Sequence, residues 1–468
     1  MKKISFILIA AIVSMLLFFS CKKESFITSP NARLSVSADS IKFDTVFTTT
    51  GSITQSFKIF NDNNQKLLLS KVKLMGGAAS PYKININGAA ATEQDNIEIA
   101  ANDSIYVFVT VTVNPTAANL PFIISDSVLI NYNGNDRFVQ LQAYGQNAHF
   151  LNSTEILTNT DWPNDLPYVI LGGIRVDAAA FLNIDQGCRI YSHANAPFIV
   201  DGTLLINGTK GNEVSFASDR LDDPYRDFPA GWPGIYLRGS SKNNIISYAV
   251  IKNAYQAVVI QDPATNTNPK LVMHQCIIDN AYDAGLLSIN SSVQADNTLI
   301  SNCGKNINII LGGDYTFTNC IVASYSNSYL LHKAPVLVAT NFADQNGVTI
   351  TNNINAVFLN CIFWGDDGSI EDELSVSKQG SNSFNVIFDH CLYKAVTDPA
   401  NTTLTASIKN MDPSFDSIDV NHKYYDFRIT KNPVAPGIDQ GAATSFLKDL
   451  DNNNRSVGLP DMGCYEKQ

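Results

Sequence analysis

The stretch His274-Gln275-Cys276-Ile277-Ile278-Asp279-Asn280-Ala281-Tyr282 decides how the rest of the chain is read, because shortened copies of it recur on both sides. Upstream stands Ala249-Val250-Ile251-Lys252-Asn253-Ala254-Tyr255. Downstream come Thr298-Leu299-Ile300-Ser301-Asn302-Cys303, Cys320-Ile321-Val322, Cys361-Ile362-Phe363 and Cys391-Leu392-Tyr393. The steps between their first apolar or cysteine positions are 27, 22, 22, 41 and 30 residues. The step of 27 contains a polar insert over 262–269, and the step of 41 holds either two short coils or one coil with a long excursion. A period in the low twenties marks a solenoid.

Each unit is short, apolar and β-branched, closes on Asn or Gly, and carries no helix-length amphipathic period. This predicts a right-handed parallel β-helix of roughly ten coils, with equivalent residues stacked about 4.8 Å apart. Asn253, Asn280 and Asn302 would then form a ladder, bonding along the axis and capping turn backbone. The cysteine position wants a small side chain facing the interior, so burial is the better reading than a Cys361–Cys391 disulfide.

Between about residues 34 and 148 the pattern changes to alternating segments such as Gln55-Ser56-Phe57-Lys58-Ile59-Phe60 and Arg137-Phe138-Val139-Gln140-Leu141-Gln142-Ala143. Asn133-Gly134-Asn135-Asp136 is a hairpin turn signal. About eight short strands are expected there, forming a β-sandwich that resembles disulfide-free immunoglobulin-like modules. The fold class is thus all-β: a sandwich followed by a solenoid.

The N-terminus carries Lys2 and Lys3, an apolar run over 4–19, then Ser20-Cys21. That is an export signal rather than a spanning helix. The run into Cys21, followed by Lys22-Lys23-Glu24-Ser25, resembles a lipoprotein signal of the Bacteroidota. It implies acylation of Cys21 and an outer-membrane lipoprotein at the cell surface. The domains read as signal peptide 1–20, tether 21–33, sandwich 34–148, β-helix 149–410 and a C-terminal cap over 411–468.

The chain has 468 residues, a net charge of −11 and only 16% charged residues. An acidic balance argues against nucleic acid and against adsorption to anionic lipid. The polar, uncharged surface suits an extracellular solenoid facing carbohydrate. Gly231-Trp232-Pro233-Gly234-Ile235-Tyr236-Leu237 and the coils around it resemble the pectate-lyase-like superfamily. That superfamily houses lyases, hydrolases, adhesins and stalks, so the likeness implies the fold and not the chemistry. The closing run Pro460-Asp461-Met462-Gly463-Cys464-Tyr465-Glu466, with Asp449-Leu450-Asp451 before it, resembles the final segment of surface-anchored β-helix proteins of the choice-of-anchor Q type.

Two kinds of site are suggested by residue type. Tyr255 and Tyr282 share a repeat position, and Tyr325 and Trp364 are expected just past strands. Such a row offers flat faces to sugar rings, or else forms an interior stack. Asp366, Asp367, Glu371, Asp372 and Glu373 form an acidic excursion of the kind that holds calcium, and Asp219, Asp222, Asp223 and Asp227 share a loop with Arg220 and Arg226. No other cofactor is implied. Asp185 and Asp366 lie about eight coils apart, on the order of 40 Å, too far for a glycosidase pair. The six histidines fall in no nucleophile or zinc pattern. The preferred reading is a monomeric, lipid-anchored, non-catalytic scaffold or adhesin that binds glycan or another surface ligand. The alternative is a polysaccharide lyase or hydrolase acting on uronate-containing glycans.

Overall fold

Regular structure in the chain is almost wholly strand, in a computed structural model that describes residues 25–47, 51–114, 122–455 and 457–468. The expected export signal and Cys21 lie outside the described residues. The chain divides into two units, Met1–Asn147 and Ala148–Gln468.

In the first unit two five-stranded sheets enclose a core that includes Phe43, Phe57, Leu69, Val72, Tyr82, Val107, Ile130 and Leu141. The longer strands alternate buried apolar with more exposed positions, as in Ser104–Val111, where Ile105, Val107, Val109 and Val111 face in and Tyr106 and Phe108 face out, so each sheet has one face to bury. Phe122–Tyr132 and Asn135–Gln146 form the longest hairpin. Its Asn133-Gly134 turn has φ of 46° and 80°, the left-handed pair that suits the twist of a tight hairpin. The edge strand Ser40–Phe47 runs parallel to Asn135–Gln146, the one parallel pairing within these two sheets among the described residues.

The second unit is a parallel β-helix. One sheet stacks eleven parallel strands, from His149–Leu151 through Ala249–Lys252, Ile277–Asp279, Leu299–Ser301, Ile321–Tyr325 and Ile362–Asp366 to Ile408–Lys409. A seventeen-stranded sheet supplies the other two sides of the coil. Its two sides are joined where Ala284–Asp296 and Lys305–Thr318 run through the corner as single long strands.

Register places the cysteines as the repeat predicts. Ile277 pairs Leu299, Leu299 pairs Ile321, Ile321 pairs Ile362 and Ile362 pairs Leu392, so Cys276, Thr298, Cys320, Cys361 and Cys391 form one column. All seven described cysteines are free and buried, and burial raises their thiol pKa wherever a shift is resolved. The residue before each member of the column turns the corner at positive φ: Gln275, Asn297, Asn319, Asn360 and His390. Asn tolerates this conformation better than most side chains. Because Ile321 and Ile362 are direct neighbours, the step of 41 is one coil with excursions, one of them the hairpin Phe342–Gln345 and Val348–Thr351. Phe317, Phe358 and Phe388 stack inside at 5.4 and 4.9 Å.

The expected C-terminal cap is corrected by its packing. Residues 427–465 lie along the outer face of the eleven-stranded sheet, where Phe427, Leu450, Met462, Cys464 and Tyr465 cover Leu299, Ile321, Ala323, Ile362 and Leu392. Lys210 bonds Asp451, Gln275 bonds the Asp449 carbonyl, and Asn360 bonds Ala442, which places this strap alongside the coils and not over the last one. Each residue of the closing motif has a task. Asp461 accepts the Asp439 and Lys467 amides, and Glu466 accepts the Asp461 amide. Gly463, at φ 93°, lies so close that a Cβ would stand 2.8 Å from Ile321.

Candidate functional site

The two repeat tyrosines lie on the surface. They sit at the corner that follows the eleven-stranded sheet, two residues past Asn253 and Asn280, which both have positive φ. Asn280 donates to Asn253 at 2.8 Å, and Asn253 donates to the Arg226 carbonyl at 2.6 Å, so the amide ladder pins this corner to the 219–228 loop. Asn302 leaves the expected ladder and donates instead to Asp279 at 3.2 Å.

Tyr255 and Tyr282 are 43% and 53% exposed, with ring centroids 5.8 Å apart and planes within 22°. Rings at this separation and tilt form an offset stack. Each ring keeps about half its surface open to solvent. On the Tyr255 side stands Pro233, since Trp232 bridges Ala254. On the Tyr282 side the equivalent position is Gly304, where an added Cβ would meet the Tyr282 carbonyl at 2.2 Å. That contact is with backbone, and the Tyr282 ring itself stays half exposed. Around it Asp283 accepts from Gln256 Nε2 at 2.7 Å and stands 3.5 Å from Lys305 Nζ. An open aromatic face beside a carboxylate, an amide and an ammonium is suited to a ring with an apolar face and hydroxyl edges. The residue pattern points to Tyr282; Asp283, Gln256 and Lys305 join it only through the register between coils.

Tyr325 and Trp364 do not join this site. They are 8% and 6% exposed and lie under the strap, Tyr325 within 6.5 Å of Tyr425 and 6.2 Å of Phe427. Burial pushes the Tyr325 hydroxyl pKa far up. Trp364 keeps an edge on a separate cavity of about 460 Å³, with Glu371 and Lys394 also in its wall.

The acidic excursion does not converge. Glu373 turns inward, fully buried, and takes His332 Nε2 at 2.8 Å and the Val336 amide at 3.2 Å. Asp372 accepts the Val396 and Thr397 amides at 2.6 and 3.0 Å, and Asp366 stands 3.3 Å from Lys394. Only Asp366 ends a strand; the other four lie in the loop before Leu374–Ser377, whose separate backbone and side-chain partners disperse them. Among the described residues no three His, Cys, Asp or Glu side chains are placed to hold a metal ion. In the 219–228 loop Asp222 pairs with Arg220 at 2.7 Å and Asp223 with Arg226 at 2.8 Å.

All six histidines sit against a carboxylate: His149 with Asp165, His193 with Asp219, His274 with Asp296, His332 with Glu373, His390 with Asp389 and His422 with Asp419. His193–Asp219 and His274–Asp296 join adjacent coils, and Asp296 raises the pKa of His274 by hydrogen bonding. Burial raises that of Asp219.

No known family model matches the chain, and no curated protein matches it. Among solved structures, a family 123 glycoside hydrolase from Clostridium perfringens is similar over 26% of this chain and 30% of its own, at 9% identity and a TM-score of 0.18. The PapD-like domain 7 of human CEP192 is similar over 26% and 89%, at 12% identity and 0.17. The VesB protease of Vibrio cholerae is similar over 24% and 31%, at 13% identity and 0.18. The chain thus spans about a third of the hydrolase it resembles, and likenesses this slight say nothing about activity. The class that fold and site define is a parallel β-helix protein with a sandwich before it and an open tyrosine face on its flank.

Proposed function

We propose that this chain is an outer-membrane lipoprotein, anchored through Cys21 at the cell surface, whose β-helix is a rigid, monomeric, non-catalytic scaffold for glycan. The observation that carries the reading is the half-exposed ring of Tyr282, with Asp283, Gln256 and Lys305 bonded together beside it. A pyranose lying on that face buries its apolar side on the ring, while its hydroxyls reach the carboxylate and amide. The Asn ladder and the parallel strands hold these groups fixed before the ligand arrives, which keeps the ordering cost of binding low.

The test is retention of the full chain, in detergent, on a panel of immobilised glycans that includes neutral and uronate polymers, with released products followed in parallel. Replacing Tyr282 by Ala is expected to weaken retention about tenfold, equivalent to roughly 1.4 kcal/mol of stacking. Retention that is indifferent to Tyr282→Ala, or absent across the panel, overturns the reading. Release of unsaturated or reducing products replaces the scaffold with an enzyme. Cys21→Ala is expected to move the protein from the membrane fraction to the soluble one.

A further inference from the structure

The polar insert over 262–269, which the repeat merely tolerates, forms one end of a trough at another corner of the coil. The trough crosses four successive coils, about 14 Å along the axis, and encloses about 620 Å³. At one end Pro263 and Pro269 bracket the insert, and Asn266 and Asn268 both donate to Asn243 Oδ1 at 2.9 and 3.0 Å, which fixes that wall. At the other end Asn352 and Asn353 leave the hairpin Phe342–Gln345 and Val348–Thr351. Both ends are therefore closed by excursions of the chain.

The floor is made by a fault in the ladder. The pairing of Ala284–Asp296 with Lys305–Thr318 slips between Ile289 and Ser291, and Asn290, Leu311, Gly312 and Gly313 all take positive φ. Such bulges bend a strand and re-aim its neighbours. A Cβ on Gly313 would stand 2.1 Å from the Ser291 carbonyl, so the floor is bare of side chains there. Tyr315 lies under it, its hydroxyl bonded to the Gly312 carbonyl at 2.9 Å and to Ser288 at 3.0 Å. Along the sides run outward ladders. Gln294 pairs with Thr316, and Ser292, Asp314 and Asn355 lie abreast, with Asn355 donating to Asp314 at 3.2 Å.

Among the described residues, Asp314 is the one charged side chain in the lining; the rest is amide, hydroxyl, glycine and a few apolar groups. Amides and hydroxyls donate and accept equally and match the hydroxyls of a sugar. With one negative charge in the lining, no cation there and an acidic chain around it, an anionic ligand gains nothing on entry. The geometry points to this trough as a site for a short, uncharged oligosaccharide, or the end of a neutral chain, held lengthwise along the helix axis. It stands on its own lining and does not depend on the Tyr282 face.

Titration calorimetry of the full chain in detergent with neutral oligosaccharides of two to four sugars, and with uronate oligosaccharides of the same lengths, tests the assignment. Thr316 is exposed, so Thr316→Trp fills the trough without entering the core; Gln294→Ala with Asn355→Ala removes polar partners and leaves the trough open. In the Tyr282→Ala background, which removes any contribution from that face, at least one neutral oligosaccharide is expected to bind, tenfold or more weaker once either trough variant is added. Uronates binding as tightly as neutral sugars, no neutral sugar binding, or neutral binding that persists in both variants overturns the trough. Neutral binding wholly lost on Tyr282→Ala alone also overturns it while keeping the Tyr282 reading, whereas loss confined to the trough variants upholds the trough and leaves the Tyr282 face to its own retention assay.

Discussion

At His274 an imidazole and a carboxylate from adjacent coils meet at 2.5 Å, with the second oxygen of buried Asp296 held by Asn297 at 3.0 Å. Asp296 is the larger cause of the raised His274 pKa, and it outweighs the opposing cost of burial. The sign follows from linkage. A histidine whose folded pKa lies above the unfolded value of about 6.5 contributes stability that is fully present below that value and lost as pH rises through the folded pKa. The ring is about a third exposed, so screening holds the contribution to about 0.5–1 kcal/mol. His274→Asn is therefore expected to lower the urea midpoint more at pH 5.5 than at pH 8.5, and the His274 ring proton is expected to titrate above about 6.5. An NMR midpoint at or below that value, or an equal loss of stability at both pH values, removes the argument. Tyr282 presents a different lesson at the same scale: its type and repeat position are in the sequence, but the Gln256–Asp283–Lys305 group beside it is assembled only by the register between coils.

The strap over 427–465 is the element on which most of the outer apolar strip depends. Its hold is concentrated at Arg455, buried and bonded through Nε and Nη2 to Asn297 Oδ1 at 2.9 and 2.7 Å, to the Gly463 carbonyl at 2.8 Å and to Glu466 at 3.3 Å. Truncating one member of a buried charge pair strands the other, at a cost of about 3–5 kcal/mol. Arg455→Ala is expected to detach the strap as a unit, with hydrogen exchange rising together over 427–465 and a hydrophobic dye binding to the uncovered Leu299, Ile321, Ile362 and Leu392. The interior Cys column should stay protected. Unchanged exchange in the strap refutes its role as a latch. This element also marks where legibility ended. The period, the Cys column and the left-handed Asn corners can be read from the chain because they are local and repeated. Tyr325 and Trp364 were misplaced because what covers them lies 60 or more residues downstream. A signal was nevertheless present: Ile321-Val322-Ala323 and Ile362-Phe363-Trp364 are continuous apolar runs, which mark strands buried on both faces. The acids of 366–373 misled for the opposite reason, since closeness in sequence says little about where a loop turns each side chain: Glu373 goes inward to His332 and Asp372 to the Val396 and Thr397 amides.

For the molecule as a solenoid, the strap leaves the last coil to protect itself. A parallel stack ends in unpaired backbone groups, a template for another chain. Here the coils taper: the side carrying Leu374–Ser377 gains no further strand, and the closing strands Thr403–Thr405 and Ile408–Lys409 are three and two residues long. Asn410 spends its amide on both backbone groups of Ala395, at 2.8 and 2.7 Å, and Lys409 pairs with Asp398 at 2.7 Å. Short strands, a lysine and threonines are the features that natural edges use against pairing. Removing them should convert a monomer into an associating species without touching the core. A triple variant, Thr403→Val, Thr405→Val and Lys409→Ile, is expected to show a sedimentation mass that climbs from micromolar to tens of micromolar protein, while the parent chain stays at one mass. A variant that remains monomeric would mean that the taper alone closes the solenoid. A parent chain that associates as readily would mean that these three side chains guard nothing. Either result bears on the proposed role, because a surface scaffold that presents its flank to glycan must not propagate end to end with its neighbours.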